Sequence, residues 1–399
     1  MEYNKGQIEA IKEAVLWNKR DNEQVFQLSG NPGTGKTVVL NAIIDAIGAD
    51  RSRIAPMSYV GAAAINMRVK GMNNARTIHS WLYEPIEVPV LDKDGNPVMD
   101  TYYNRPKKRI QFVPRDLNGI DYFIIDEGGF VPYSMKKEIE SRGIKIIVAG
   151  DIDQLPPVND KPAYLYEGKV HMLTEIMRQN ESSGIVYLSQ RAKRGLPIHR
   201  GIYGNVMVIY ENEMTDDMIR YSDAIICGRN TTRDKMNDYI RYNLKGIQSN
   251  TPVCGDRLIC KQNNWGIEVD GINLVNGLTG TCMNTVVPTS FDSKGKTFSI
   301  DFMPDLLNSK FGNLNVDYKY FTSPFQVRKE LKSSPYGVGE KFEFGYSITT
   351  HSAQGSEYNN GIYIEEPMSR DITNKLNFVG LTRFRNACIY VKPRPKRYY

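Results

Sequence analysis

The sequence predicts an α/β protein of two units, with a β hairpin set into the first and a small all-β unit set into the second. Three observations predict this. A glycine-rich loop, Gly30 to Thr37, lies between the apolar run Val25 to Leu28 and the helix-like segment Val38 to Ile47. Short apolar runs then alternate with helical patterns along most of the chain, the signature of strands covered by helices. Two windows, Glu84 to Arg115 and residues 251 to 344, interrupt the alternation with turn signals.

The 399 residues exceed one ordinary domain, and 41% of them are hydrophobic, enough for a sizeable core. The net charge of +6, with basic clusters at Arg105 to Arg109 and Lys392 to Arg397, is compatible with a polyanionic partner. Five scattered cysteines lack the paired spacing of a zinc site, so we expect a reduced, cytoplasmic protein without structural metal. The polar N-terminus and short apolar runs predict neither a signal peptide nor a membrane span.

Residues 5 to 19 carry apolar positions at helical spacing, with Gln7 in the first turn. Its amide is either a reader of the N6 and N7 edge of adenine or a solvated helix-start group. In the loop that follows the first strand, Gly30, Asn31, Pro32, Gly33, Thr34, Gly35, Lys36 and Thr37 have the composition of a phosphate cradle. Glycine lets backbone N–H groups curl around phosphate oxygens, Lys36 adds a point charge, and the Thr37 hydroxyl suits Mg²⁺. The pattern points to a nucleoside triphosphate, taken to be ATP. Arg53 to Ser58 then reads as a strand leading into the small residues Gly61 to Ala64, which permit close approach of another backbone or a ligand.

Between Glu84 and Arg115, two apolar limbs flank Asp92-Lys93-Asp94-Gly95-Asn96, a hairpin turn signal; the alternative is a disordered surface loop. Tyr122 to Glu127 is a strand ending in two carboxylates, placed to hold Mg²⁺ through Asp126 and to activate water through Glu127. Ile144 to Ala149 is a further buried strand, and the Pro156-Pro157 loop after it carries Gln154, a candidate sensor of the γ-phosphate. In the second unit, Ala224 to Cys227, Gly361 to Ile364 and Ala387 to Val391 read as strands and Asn374 to Leu381 as a helix. Residues 251 to 344 are rich in Gly, Asn, Thr and Val with short apolar runs, a small β unit.

Taken together, these stretches resemble superfamily 1 helicases, in the 5′-to-3′ branch that includes RecD and Dda. Gln7 matches the adenine-reading motif, Gly30 to Thr37 motif I, Ala55 to Ala64 motif Ia, Asp126-Glu127 motif II, and Gly150 to Pro157 motif III. Leu173 to Gln179 is similar to motif IV, Thr349 to Glu357 to motif V, and Val379 to Arg383 to motif VI. Ser352 stands where a lysine is common in motif V, one phosphate contact fewer, and Phe384 stands where alanine is usual.

The resemblance implies two RecA-like domains: 1–84 with 116–170, and 171–250 with 345–399. Residues 85–115 would form a pin hairpin and 251–344 an SH3-like β insertion. It implies ATP and Mg²⁺ between the domains, with Lys36, Thr37, Asp126, Glu127 and Gln154 on one side and Arg178, Glu357 and Arg383 on the other. Single-stranded DNA would cross both domains near Pro56, Ser58, Thr77, His79, Thr350 and His351. The implied protein is a monomer that unwinds DNA at junctions of single and double strands, with partners among replication or recombination proteins. An RNA track, or a nucleic-acid-bound ATPase that remodels proteins without unwinding, stays open at this point.

Overall fold

The computed structural model describes residues 3–100, 105–106, 108–157, 160–175, 183–270, 272–287, 297–332 and 338–394. Helix α1 (Lys5–Asn18) begins at Asn4, whose side chain accepts the Gln7 N–H at 2.8 Å while Gln7 Oε1 accepts the Asn4 N–H at 3.1 Å. That reciprocal cap satisfies donors which a helix start otherwise leaves open. Strand β1 (Val25–Gly30) runs into the glycine loop and helix α2 (Lys36–Ala46). The helix starts two residues before its apolar pattern does, because Gly35 caps it at φ 81°, a backbone conformation that favours glycine. Then come β2 (Ile54–Ser58), α3 (Gly61–Val69), β3 (Arg76–Thr77) and α4 (Ile78–Leu82).

A hairpin rises next: β4 (Tyr83–Pro89), β5 (Met99–Asp100), β6 (Arg105–Pro106) and β7 (Lys108–Pro114). β4 pairs with β7 in antiparallel register from Tyr83↔Pro114 to Pro89↔Lys108. The tip turns where the sequence predicts. Asp92 Oδ1 accepts the N–H groups of Asp94 and Asn96, each at 2.9 Å, and Gly95 has φ 84°. Thus β4 and β7 form an antiparallel ribbon with a hydrogen-bonded turn at Asp92 to Asn96.

The chain returns through β8 (Tyr122–Asp126), α5 (Tyr133–Glu140), β9 (Lys145–Gly150) and β10 (Val170–Leu173). The first sheet is parallel throughout, in the order β10-β1-β9-β8-β2-β3. Its central strands are covered on both faces, which is why Phe123, Ile124 and Ile125 are all fully buried and read as an unbroken apolar run. At roughly 1.5–3 kcal/mol per buried large side chain, these strands anchor the lobe and present their carboxyl ends rigidly.

The second lobe holds α6 (Gly184–Lys193), β11 (Gly201–Tyr203), β12 (Val206–Tyr210), α7 (Asp216–Arg220), β13 (Ala224–Cys227) and α8 (Asn230–Asp238). An insertion follows, with β14 (Arg257–Cys260), β15 (Asn264–Val269), β16 (Ile272–Leu274), β17 (Thr279–Val286), β18 (Thr297–Pro304), β19 (Phe311–Asp317) and β20 (Phe342–Phe344). It also carries two short helices that its composition does not signal, α9 (Tyr318–Thr322) and α10 (Phe325–Lys332). Asp317 caps the first of them by accepting the Tyr320 N–H at 2.9 Å. The lobe closes with β21 (Ser347–Thr349), β22 (Tyr358–Ile364), α11 (Arg370–Leu381) and β23 (Phe384–Lys392).

The second sheet runs β11-β12-β23-β22-β13-β21, parallel except for β11. The insertion forms an antiparallel sheet, β19-β18-β17-β14-β20, and a separate ribbon, β15-β16. Two buried ion pairs fix it to the second lobe: Arg241 to Asp256 at 3.0 Å and Arg233 to Glu343 at 2.8 Å.

Helix α3 joins all three parts, and its small residues allow the contact. A Cβ on Gly61 would lie 2.2 Å from Val275 Cγ2 of the insertion, and one on Gly355 would lie 2.9 Å from Ala63 Cβ. Ile65, from the same helix, is buried in the core of the insertion.

Candidate functional site

The carboxyl ends of β1, β8 and β9 meet at a cavity of about 640 Å³ between the lobes, within the roughly 300–1,000 Å³ typical of cofactor and substrate sites. From the first lobe Gly33, Gly35, Lys36, Thr37, Asp126, Glu127 and Gln154 line it; from the second come Gly355, Glu357, Thr382 and Arg383. Sequence positions more than 200 apart are therefore brought to one cleft.

Lys36 Nζ donates to the carbonyls of Gly30 at 2.7 Å and Asn31 at 3.3 Å, acceptors that a phosphate can replace. Glu127 adopts φ 55°, the left-handed region, immediately after β8, and so turns its side chain off the strand direction. Burial, and then the adjacent Asp126 carboxylate, push its carboxyl above the usual 4.5, against the pull of Lys36 and Arg383. Asp151 is also raised, chiefly by burial, and its Oδ2 has no hydrogen-bond partner among the described residues. No group of three or more ligating side chains is assembled among the described residues, but the Thr37 hydroxyl and the Asp126 carboxylate in the same cavity are the oxygen donors that a Mg²⁺ completed by phosphate and water would use. Gln154 is 4% exposed, and its Oε1 likewise lacks a partner among the described residues.

Arg383 is 4% exposed and is aimed by its own helix end: Nε donates to Val379 O at 3.2 Å and Nη1 to Ser356 O at 3.4 Å. Glu357 binds Arg385 Nε at 2.9 Å and lies 4.0 Å from Lys70 Nζ of the first lobe. Arg178 lies outside the described residues. Asn31, Pro32 and Thr34 belong to the loop, but Thr34 is fully buried.

Gln7 is placed differently from the adenine-edge expectation. It is 3% exposed behind the loop, outside the cavity lining, and its Nε2 donates to Thr34 O at 3.1 Å. With Oε1 held in the α1 cap, both ends of the amide brace the phosphate loop.

The strand-facing candidates also divide. Pro56 and Ser58 are buried within β2, Thr77 is 6% exposed and caps α4, and Thr350 is fully buried with its hydroxyl donating to Cys227 O at 3.1 Å. In this conformation all four of these residues are buried. His351 is exposed and His79 half-buried. Burial lowers the pKa of the half-buried His79 imidazole from the ordinary 6.5. Sequence reasoning missed two neighbours of His79: the rings of Tyr59 and Trp265, each 6.3 Å from it between centroids. The position of Tyr59, just beyond β2, was a usable signal; that of Trp265, in the insertion, was not.

The AAA-domain family profile matches residues 2–203. The RecD subunit of the RecBCD enzyme from Buchnera aphidicola is 22% identical over 446 aligned positions, covering 96% of this chain and 72% of that protein. The ATP-dependent DNA helicase Pif1 of Psychrobacter is 28% identical over 41% of this chain and 26% of its own length. Among solved structures, Bacteroides Pif1 in complex with ADP-AlF3 and single-stranded DNA superposes with a TM-score of 0.55 over 98% of this chain and 92% of that one, at 16% identity. No helix among the described residues is long and apolar enough to cross a membrane. With two lobes, each built on a mainly parallel sheet, lining one cavity and the profile spanning half of the sequence, the chain belongs to the AAA-domain family and is of the superfamily 1, RecD/Pif1 type.

Proposed function

We propose that the chain is an ATP-dependent DNA helicase that moves 5′ to 3′ on single-stranded DNA and opens duplex at a junction, acting as a cytoplasmic monomer alongside replication or recombination proteins. The observation that carries this reading is the cavity itself, which takes Lys36 and Glu127 from one lobe and Arg383 from the other. Hydrolysis is then tied to closure. Lys36 exchanges its two loop carbonyls for phosphate oxygens, Glu127 takes a proton from the attacking water, and Gln154 orients that water. Arg383 neutralises charge that develops only when the lobes close, so each turnover moves one lobe against the other.

Thr37 and Asp126 would hold Mg²⁺, which when bound offsets negative charge on the phosphates and on the carboxylates around Glu127. Arg178 is assigned a second cationic role by its motif alone. Glu357, paired with Arg385, lines the cavity from the second lobe and would meet the nucleotide there. The strand crosses His79 and His351, with Tyr59 and Trp265 as stacking faces that accept any base. The β4–β7 ribbon is the pin, with Leu91 near its tip 54% exposed.

Strand displacement on duplexes carrying a 5′ or a 3′ single-stranded tail tests the reading. The 5′-tailed substrate should be opened only with hydrolysable ATP, and the 3′-tailed one should not be. DNA-stimulated hydrolysis without displacement on either would favour a remodelling ATPase, and stimulation by RNA alone would favour an RNA track.

A further inference from the structure

The position where a motif V lysine is absent has a lysine beside it in space. Lys261, at the end of β14, directs its Nζ to Ser352 Oγ at 3.4 Å, and Thr349 Oγ1 donates to the same hydroxyl at 3.1 Å. The two residues are 91 positions apart and belong to different structural units. That long bond is the ammonium's only hydrogen bond, and no carboxylate lies within 4.0 Å of it, among the described residues. The nearby Glu343 is already engaged, by Arg233 at 2.8 Å and by the Tyr320 hydroxyl at 2.9 Å.

The surroundings carry both signs of charge. Burial is the largest influence lowering the Lys261 pKa; the Glu343 carboxylate opposes it, while Arg233 and Lys332 act in the same direction as burial. Glu343 therefore acts on this half-buried ammonium from beyond 4.0 Å, and its single direct contact among the described residues is the long bond to Ser352, so an anion at the Ser352 turn would give it a close partner. The backbone there is firm. Gln262 and Asn264 both donate to Glu340, at 2.8 and 2.6 Å, and the same turn carries Trp265 to the His79 ring. So the 261–265 turn spans from the exposed His351-Ser352 turn of one lobe to His79 of the other.

We propose that Lys261 binds a backbone phosphodiester of single-stranded DNA at the Thr349–Ser352 turn, so that the insertion supplies the cation which position 352 lacks. The proposal rests on the strand-track reading above. It makes the insertion part of the DNA-binding surface, and Trp265 the base-facing member of the same turn.

The test is a salt titration of binding to fluorescein-labelled oligo-dT by the full chain, with Lys261→Gln, Lys261→Arg and the exchange of Lys261→Ser with Ser352→Lys. Loss of one single-strand phosphate contact should make the slope of log K against log salt shallower by about 0.7 in Lys261→Gln. Lys261→Arg should keep the wild-type slope, and the exchange should restore it. A wild-type slope in Lys261→Gln, with steep salt dependence otherwise intact, overturns the proposal and leaves the strand track standing. Absence of salt-dependent binding by the wild type overturns both. Should Lys261→Gln fail to fold, the exchange decides: a restored slope supports the assignment, and a shallow one overturns it.

Discussion

Lys193 on α6 and Asp153 on the loop after β9 form an ion pair across the cleft, and Lys193 Nζ also approaches Asn31 Oδ1 of the phosphate loop at 3.5 Å. One cation of the second lobe thus touches two nucleotide-site loops of the first. The pair is partly exposed, so it is worth at most about 1 kcal/mol, or roughly a fivefold population shift. Asp153→Asn should therefore raise the share of open resting molecules, read from fluorophores on the two lobes, and change the KM for ATP by no more than about fivefold. An unchanged distance distribution would show that the pair does not hold the lobes.

Glu127 provides a pH signature. Its folded-state pKa lies above 4.5 because of burial and Asp126, and the proposed base must be ionised. The acid limb of kcat/KM should therefore fall above pH 4.5, with rate lost as pH drops through the raised pKa. Linkage gives the opposite sign for stability: this carboxyl favours the fold below its unfolded pKa and loses that contribution as pH rises through the folded one. Glu127→Gln should consequently raise the Tm of the nucleotide-free protein at neutral pH while lowering turnover by about 10²–10⁴. Near wild-type turnover would remove Glu127 from the chemistry.

Arg383→Ala should reduce turnover by about 10³ or more, as loss of an arginine finger does, with a much smaller effect on ATP affinity. Single-turnover hydrolysis and nucleotide binding separate the two. A loss confined to binding would assign Arg383 to ground-state recognition.

The hairpin tip can be removed without entering the sheet. Replacing Val90 to Val98 by a short Gly-Ser turn should leave DNA-stimulated hydrolysis and single-strand translocation within about twofold while abolishing strand displacement, because opening a base-pair step costs on average about 1.4 kcal/mol and needs a wedge that prevents reclosure. Equal loss of all three activities would make the ribbon structural.

Much of this was legible in the sequence because the signals were local. The run from Phe123 to Ile125 is unbroken and apolar since β8 is covered on both faces, and Asp92 to Asn96 turns because its own side chains and Gly95 permit it. What was not legible concerns facing and long-range pairing. A motif places Pro56, Ser58, Thr77 and Thr350 near a functional surface but does not say that they are buried. Gln7 has the right composition for a base edge, yet the α1 cap and Thr34 O claim its amide first. The contacts of Lys261 with Ser352 and of Lys193 with Asp153 join residues 91 and 40 positions apart, beyond any periodicity.

The strand orders also set a timetable for synthesis. All six strands of the first sheet lie between Val25 and Leu173, so that lobe can finish its sheet while the rest of the chain is still being made. The second sheet cannot do so, because β23 (Phe384–Lys392) lies in its interior between β12 and β22. Until those residues leave the ribosome, β12 and β22 each expose an unpaired edge, the kind of surface that recruits strands from other chains. The phosphate loop is therefore assembled before its closing arginine, Arg383, which immediately precedes β23.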